Sequence, residues 1–142
     1  MKDLLATLRD ALRPPAWSAK RDPLGPAGER AAEKFLKANG YRVLARNARV
    51  PMGEADLLCT APDGDTVVLV EVKSRRVVPG VAAPPAELNV TAHKRRKLRA
   101  IMRHLSRANR WGARPRRIDV IAVDFVGDEP AELRHHAGAV AV

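Results

Sequence analysis

The 142-residue chain has a single cysteine, Cys59, and aromatic residues make up only 4% of it. One thiol can form neither an internal disulfide nor a cysteine-based zinc cluster, which excludes stapled secreted domains and zinc fingers. Any metal must therefore sit on oxygens or imidazoles. No apolar run approaches the roughly 18 residues that a membrane span needs. Lys2, Asp3, Arg9 and Asp10 interrupt the first leucines, unlike a secretion signal, so a cytoplasmic protein without membrane contact is expected. Acidic residues are nearly missing from the middle of the chain. From Ser74 to Arg117 there are 13 Lys and Arg against one acid, Glu87, whereas the remainder carries 13 against 15. The formal charge of +10 thus belongs to one stretch. Basic residues can simply solubilise a helix, but an asymmetry of this size favours a polyanionic partner, nucleic acid ahead of a membrane surface.

What is present suffices for one ordinary domain: 46% of the residues are hydrophobic, enough for a single core at this length. Leucines at 4, 5, 8 and 12 mark a short amphipathic helix over Met1–Arg13, ended by Pro14-Pro15. A proline-rich linker runs through Asp22-Pro23-Leu24-Gly25-Pro26, so residues 1–24 form an N-terminal segment and 25–142 the domain proper. The domain is expected to open with a helix over Gly28–Asn39, whose buried side is Ala31, Ala32, Phe35 and Leu36. Strands follow at Tyr41–Asn47, Glu54–Ala61 and Thr66–Arg75, the last two joined by the turn Pro62-Asp63-Gly64-Asp65. Prolines 79, 84 and 85 with Gly80 mark a loop over Val77–Asn89. Thr91 caps a helix from Ala92 to about Asn109, with Leu98, Ile101, Met102, Leu105 and Ala108 inward. Arg117–Phe125 is a fourth strand, and Glu132–His136 a short fifth at the sheet edge. The fold class is α/β, a mixed central sheet flanked by helices in the order α-β-β-β-α-β with a last short strand.

The hairpin holds the chemistry. Alternation along Val67–Lys73 places Val67, Leu69, Glu71 and Lys73 on one face and the valines at 68, 70 and 72 on the other. A turn centred between Asp63 and Gly64 sets Asp56 opposite Glu71 and Glu54 opposite Lys73. Opposed carboxylates, with Cβ atoms about 5 Å apart, destabilise a sheet. A divalent cation between them relieves the repulsion, and Mg²⁺ or Mn²⁺ suits such oxygen ligands. The alternative is an ordinary charged hairpin with a Glu54–Lys73 ion pair and solvated Asp56 and Glu71, and a one-residue slip would turn Asp56 to the other face.

Asp56 followed by Glu71-Val72-Lys73 is similar to the D…(D/E)xK signature of the restriction-endonuclease-like nuclease superfamily. More closely, Gly28-Glu29-Arg30-Ala31-Ala32, Arg46-Asn47-Ala48-Arg49, Gly53-Glu54-Ala55-Asp56-Leu57-Leu58, Val70-Glu71-Val72-Lys73-Ser74-Arg75 and Lys94-Arg95-Arg96-Lys97-Leu98 resemble, in order and spacing, the YraN-like family of small bacterial proteins. The likeness covers about Gly25 to Phe125. It implies a restriction-endonuclease-like core, related in appearance to archaeal Holliday-junction resolvases, with Asp56 and Glu71 as metal ligands, Lys73 as the catalytic lysine and Glu29 as a further acidic residue beside the site. Without the resemblance, Glu29 reads as an exposed carboxylate near a helix N-terminus. Ala55 departs from the family pattern, where a larger aliphatic is usual. The leucine-bearing segment before Gly25 is also extra, and leaves room for a partner or homodimer contact.

The basic helix supplies the nucleic-acid candidates. With Leu98, Ile101, Met102 and Leu105 inward, Arg95, Arg96, Arg99, Arg103 and Arg107 fall on the outer flank, Lys94 leans toward the catalytic face, and Arg75 follows the strand. His135 and His136, adjacent on a strand, face opposite ways and read as surface residues. Cys59 reads as a small core residue, and Trp111 as an anchor for the helix end ahead of a base-stacking platform. Three readings result: a metal-dependent endonuclease acting on branched, flapped or nicked DNA; an accessory protein of DNA metabolism that binds nucleic acid without cutting; and a basic module that binds an acidic protein.

Overall fold

Two apolar faces run along the same strands, and each takes one helix. The computed structural model describes residues 24–142, so the expected leucine helix at 1–13 and most of the linker lie outside the described residues. Helix α1 spans Leu24–Ala38, followed by strands β1 (Arg42–Val50), β2 (Gly53–Thr60) and β3 (Val67–Arg76). A single 3-10 turn at Ala86–Asn89 leads to helix α2 (Ala92–Ala108), and β4 (Arg116–Val126) and β5 (Glu129–Val140) complete the chain. The sheet order is β1-β2-β3-β4-β5. Only β3 and β4 pair in parallel, with α2 as their crossover, and the other neighbours are antiparallel. This is a mixed α/β architecture with a restriction-endonuclease-like core. Among the described residues no helix is long and apolar enough to cross a membrane.

The expected alternation in β3 holds. Val67 and Leu69 pack with Leu98, Ile101, Met102 and Leu105 of α2, whereas Val68 and Val70 pack with Leu24, Ala32 and Leu36 of α1. Being central, β3 is buried on both faces down to Glu71, which lies on the α2 side at the end of the apolar run. Thr91 caps α2 as expected, its Oγ1 accepting from the Lys94 amide at 3.1 Å.

Several elements differ from expectation, β1 among them, which runs on to Val50 rather than ending at Asn47. Helix α1 starts at Leu24 rather than Gly28. Pro26 fits its first turn, where an amide has no intrahelical acceptor to lose, and Leu24 is buried in the core instead of belonging to a linker. The third strand ends at Arg76. Ala108 is exposed, and Ser106 and Asn109 take the buried positions at the end of α2. Strand β5 has 12 residues rather than five, because an edge strand with one exposed side needs little apolar alternation to announce it. Trp111, 7% exposed, anchors the end of α2 in the core. Cys59 is likewise a core residue whose thiol burial pushes up to about 12.

Helix α1 lies tight against β3 at Gly28. A Cβ there would run into the Ser74 hydroxyl and lie 2.9 Å from Ser74 Cβ, so only glycine lets the helix settle at this depth. Gly28→Ala should lower stability by about 2 kcal/mol in urea unfolding. In a double-mutant cycle with Ser74→Gly the alanine should cost less, since the two atoms that collide are then gone.

Candidate functional site

The β2–β3 ladder has the register expected from the Asp63–Gly64 turn. Thr60 pairs with Val67, Cys59 with Val68, Leu58 with Leu69 and Leu57 with Val70. The ladder ends there, one residue short of Asp56. On the other side, β1 and β2 pair at Arg46↔Leu57 and again at Ala48↔Ala55, and the regular ladder skips the positions between them, Asn47 and Asp56. Asn47 has φ +49°, a left-handed conformation that asparagine tolerates better than most residues. The irregularity also breaks the facing pattern, since Ala55 packs on the α2 side and Leu57 on the α1 side. Released from regular pairing, the Asp56 carboxylate accepts from the Val72 amide at 2.7 Å. Asp56 and Glu71 therefore come together through a local departure from the ladder and not by direct cross-strand pairing. In place of the alternative Glu54–Lys73 ion pair, Glu54 pairs with Arg49 at 3.4 Å and Lys73 faces Glu71 at 3.7 Å.

Glu71 is only 4% exposed. Its Oε1 lies 3.7 Å from Lys73 Nζ and 3.5 Å from Lys94 Nζ. Its Oε2 is buried without a hydrogen-bond partner. Burial pushes the Glu71 carboxyl up to about 7, the neighbouring Asp56 charge adds to the rise, and the ammoniums of Lys94 and Lys73 offset part of it. A buried carboxylate oxygen left bare beside a second carboxylate fits a hard divalent cation, which takes one or two carboxylates and completes its shell with water or phosphate oxygens. Asp56 and Glu71 are the residues that would hold it. Glu29 is half-buried on α1 next to the Gly28–Ser74 contact. Among the described residues no three of His, Cys, Asp or Glu gather as a metal site, so Glu29 does not complete a trio with Asp56 and Glu71.

Helix α2 presents its charges to two places. Thr91 sets the rotation so that Lys94 turns to Glu71, while Arg96, Arg103 and Arg107 are exposed and Arg99 is half-exposed. Arg103, His104 and Arg107 line a shallow groove of about 470 Å³ with Met52, Ala100 and Ala108. Arg95 is engaged with backbone, donating to the carbonyls of Val90 and Ala139. Arg75 is engaged as well, donating to Asp124 at 2.9 and 3.3 Å.

Two buried polar centres went unnoticed in the sequence. Asp124 accepts from Arg75 and Arg134, and Arg134 also binds Glu87 through two nitrogens. Asp119, fully buried, accepts from Arg117 and from the Gly138 amide, and lies 2.8 Å from His135 Nε2. His135 is therefore not a surface residue: it packs edge-on to Phe35 and Tyr41. His136 does face solvent, with its Nε2 3.0 Å from Glu87. An aspartate set inside the apolar run Ile118–Ile121 was the signal available for the first of these partnerships.

A restriction-endonuclease-like sheet with an acidic pair and two lysines at one end of its central strand defines the class of fold and site. The model of the Uncharacterised protein family UPF0102, the YraN family, matches residues 28–123. The chain is 42% identical to a UPF0102 protein of Desulfosudis oleivorans over 83% of its own length and 91% of the relative's. It is 43% identical to UPF0102 protein STH1475 of Symbiobacterium thermophilum, covering 71% and 81% of the two chains, and 40% identical to a UPF0102 protein of Beutenbergia cavernae, covering 86% and 92%. The chain belongs to this family.

The raised Glu71 carboxyl makes stability depend on pH. A carboxyl that titrates at about 7 when folded, against an ordinary 4.5, contributes stability that is fully present below 4.5 and is lost as pH rises through 7. In chelator, Glu71→Gln should therefore unfold at higher urea than the wild type at pH 8, by on the order of 2 kcal/mol, and nearly level with it at pH 4. Equal stabilities at pH 8 would mean that Glu71 is better solvated than its burial implies.

Proposed function

We propose that this protein is a metal-dependent endonuclease of the cytoplasm that hydrolyses phosphodiester bonds in DNA, with branched, flapped or nicked molecules as its substrates. The observation that carries the reading is the buried Glu71 Oε2, left without a partner beside Asp56 and under two ammonium groups. A surface that only binds phosphate gains nothing from two carboxylates, which repel it. Mg²⁺ or Mn²⁺ held by Asp56 and Glu71 would neutralise charge on the phosphoryl oxygens and lower the pKa of an attacking water.

The chain's own groups have separable tasks. The Val72 amide fixes the Asp56 carboxylate. Glu71 must be unprotonated to serve, and both lysines favour that form. Lys73, whose side chain is 30% exposed and whose Nζ is 3.7 Å from Glu71, would orient water or donate to a non-bridging phosphate oxygen. Lys94, reaching the same carboxylate from α2, adds a second positive group at the scissile phosphate.

Phosphates on either side would meet the outer flank of α2. Arg96, Arg99, Arg103 and Arg107 recur along one side of the helix, and the groove beside Arg103 and Arg107 extends the path. Such contacts hold a backbone without reading sequence.

Two experiments test this. Purified protein incubated with Mg²⁺ or Mn²⁺ and linear, flapped or four-way DNA should cleave the discontinuous forms. Lys73→Ala should reduce that rate by about a hundredfold or more and leave DNA affinity nearly unchanged. Wild-type rates in Lys73→Ala would remove the lysine from the chemistry, and DNA binding without cleavage under either metal would make the protein an accessory factor. For binding, four phosphate contacts at about 0.9 each give a slope of log affinity against log salt near minus 4. Replacing Arg96, Arg99 and Arg103 by glutamine should flatten it by about 3. A slope unaltered by the triple substitution would show that α2 does not follow the backbone.

A further inference from the structure

Nine residues without a charge, Val77–Pro85, leave the end of β3 in a chain that is 30% charged. Both feet of this arc are fixed. The Val77 amide donates to the Phe125 carbonyl at 2.8 Å. At the other foot Ala86 is buried and Glu87 is clamped by Arg134 at 2.7 and 3.0 Å.

Between the feet the Val81 amide donates to the Val78 carbonyl at 3.0 Å, closing a four-residue turn. Its central residues are Pro79 and Gly80, the latter at φ +79°, the residue types that a type II turn takes at these positions. Val78 and Val81 are thus the two corners of a stiff turn. They are 65% and 63% exposed, and Val126, at the end of β4 beside the first foot, is 40% exposed.

Apolar side chains displayed this openly on a rigid support call for an apolar surface to cover them. The neighbourhood limits what that surface belongs to. Arg75 and Arg76 are already paired with Asp124 and Asp128, but Lys73 and Lys94 beside Glu71 and the exposed Arg96 early in α2 keep this end of β3 basic, which suits a partner that is negatively charged around an apolar face. About four strand residues, roughly 13 Å, separate Lys73 from Val77, which keeps the turn within reach of a duplex held at the acidic pair. DNA has both properties where its stacking is interrupted: the terminal base pair at a branch, flap or nick offers a bare apolar face ringed by phosphates. Intact duplex hides that face, and apolar side chains are the groups that proteins insert between base steps.

Resting on the nuclease reading above, we infer that the Val78-Pro79-Gly80-Val81 turn is a wedge that stacks against the exposed base pair at a DNA discontinuity, and that it is the element selecting such DNA over continuous duplex. The ordering cost is small because the turn is already closed and its feet are pinned.

The test uses full-length protein, a flapped DNA carrying 2-aminopurine at the branch point, and the matching linear duplex. Wild type should raise the 2-aminopurine fluorescence and bind the flapped form about tenfold more tightly than the linear one. Val78→Ser combined with Val81→Ser should abolish the fluorescence change and bring the preference within about twofold, while linear-duplex affinity and its salt slope stay as in wild type. Val142→Ser, an exposed valine at the far end of the chain, should change neither. A double variant that keeps both the preference and the fluorescence change overturns the wedge, as does wild-type protein that binds DNA without disturbing the branch-point base. In either case binding of linear duplex would leave the nuclease reading standing; absence of binding to every DNA form would defeat that reading itself. Sedimentation of the protein alone decides against the wedge if wild type self-associates and the double variant does not, because the valines would then face a second copy of the chain.

Discussion

A carboxylate buried beside another carboxylate, with one oxygen bare, is costly to maintain, and the elements around Glu71 offset part of that cost. Glu71 sits where the doubly covered strand β3 runs out of apolar neighbours, so its backbone is held by pairing with Val120 of β4 while its side chain loses water. Lys73 and Lys94 reach Oε1 from different elements and offset part of that cost. Neither reaches Oε2. Stability alone would favour an apolar or amide side chain here, and the divalent-cation site proposed above gives the acid a ligand that would complete it.

The same logic explains the kink in the neighbouring strands. A regular hairpin would put Asp56 in an ordinary ladder position, and its carboxylate would not meet the Val72 amide. Asn47 in the left-handed conformation interrupts β1 opposite Asp56, and the Asp56 carboxylate accepts from the Val72 amide of β3. Helix α2 then acts from the other side. One cap at Thr91 fixes its rotation, and that rotation divides its basic residues between the acidic pair and the outer flank. Arg75 and Arg95 carry the same charge but are spent on Asp124 and on backbone carbonyls, so they hold the strands and the crossover in place.

What could be read from the sequence follows the range of each interaction. The hairpin register was legible because Asp63 organises its own turn, its carboxylate accepting from the amides of Asp65 and Thr66 at 2.9 Å. The inward face of α2 was legible through its apolar spacing, and so was the approach of Lys94 to the site. Asn47 was not, since a single left-handed residue has no periodic signature. Strand β5 was read too short because an exposed edge imposes little alternation. The clamp of Arg134 on Glu87 and the pairing of Asp119 with His135 join residues distant in sequence, and only the order of strands brings them together. Periodicity thus located the carboxylates, whereas their contact depends on a local irregularity that periodicity cannot show.

The central claim is that Asp56 and Glu71 form a divalent-cation site, and calorimetric titration with Mn²⁺ near pH 7 in two buffers of different ionisation enthalpy tests it most directly. Binding should be accompanied by proton release, because Glu71 titrates at about 7 without the ion and must be charged to ligate. Both the binding heat and the buffer dependence should disappear in Asp56→Asn and in Glu71→Gln. Mn²⁺ binding that persists unchanged in both variants, or no binding by the wild type at millimolar metal, would contradict the account.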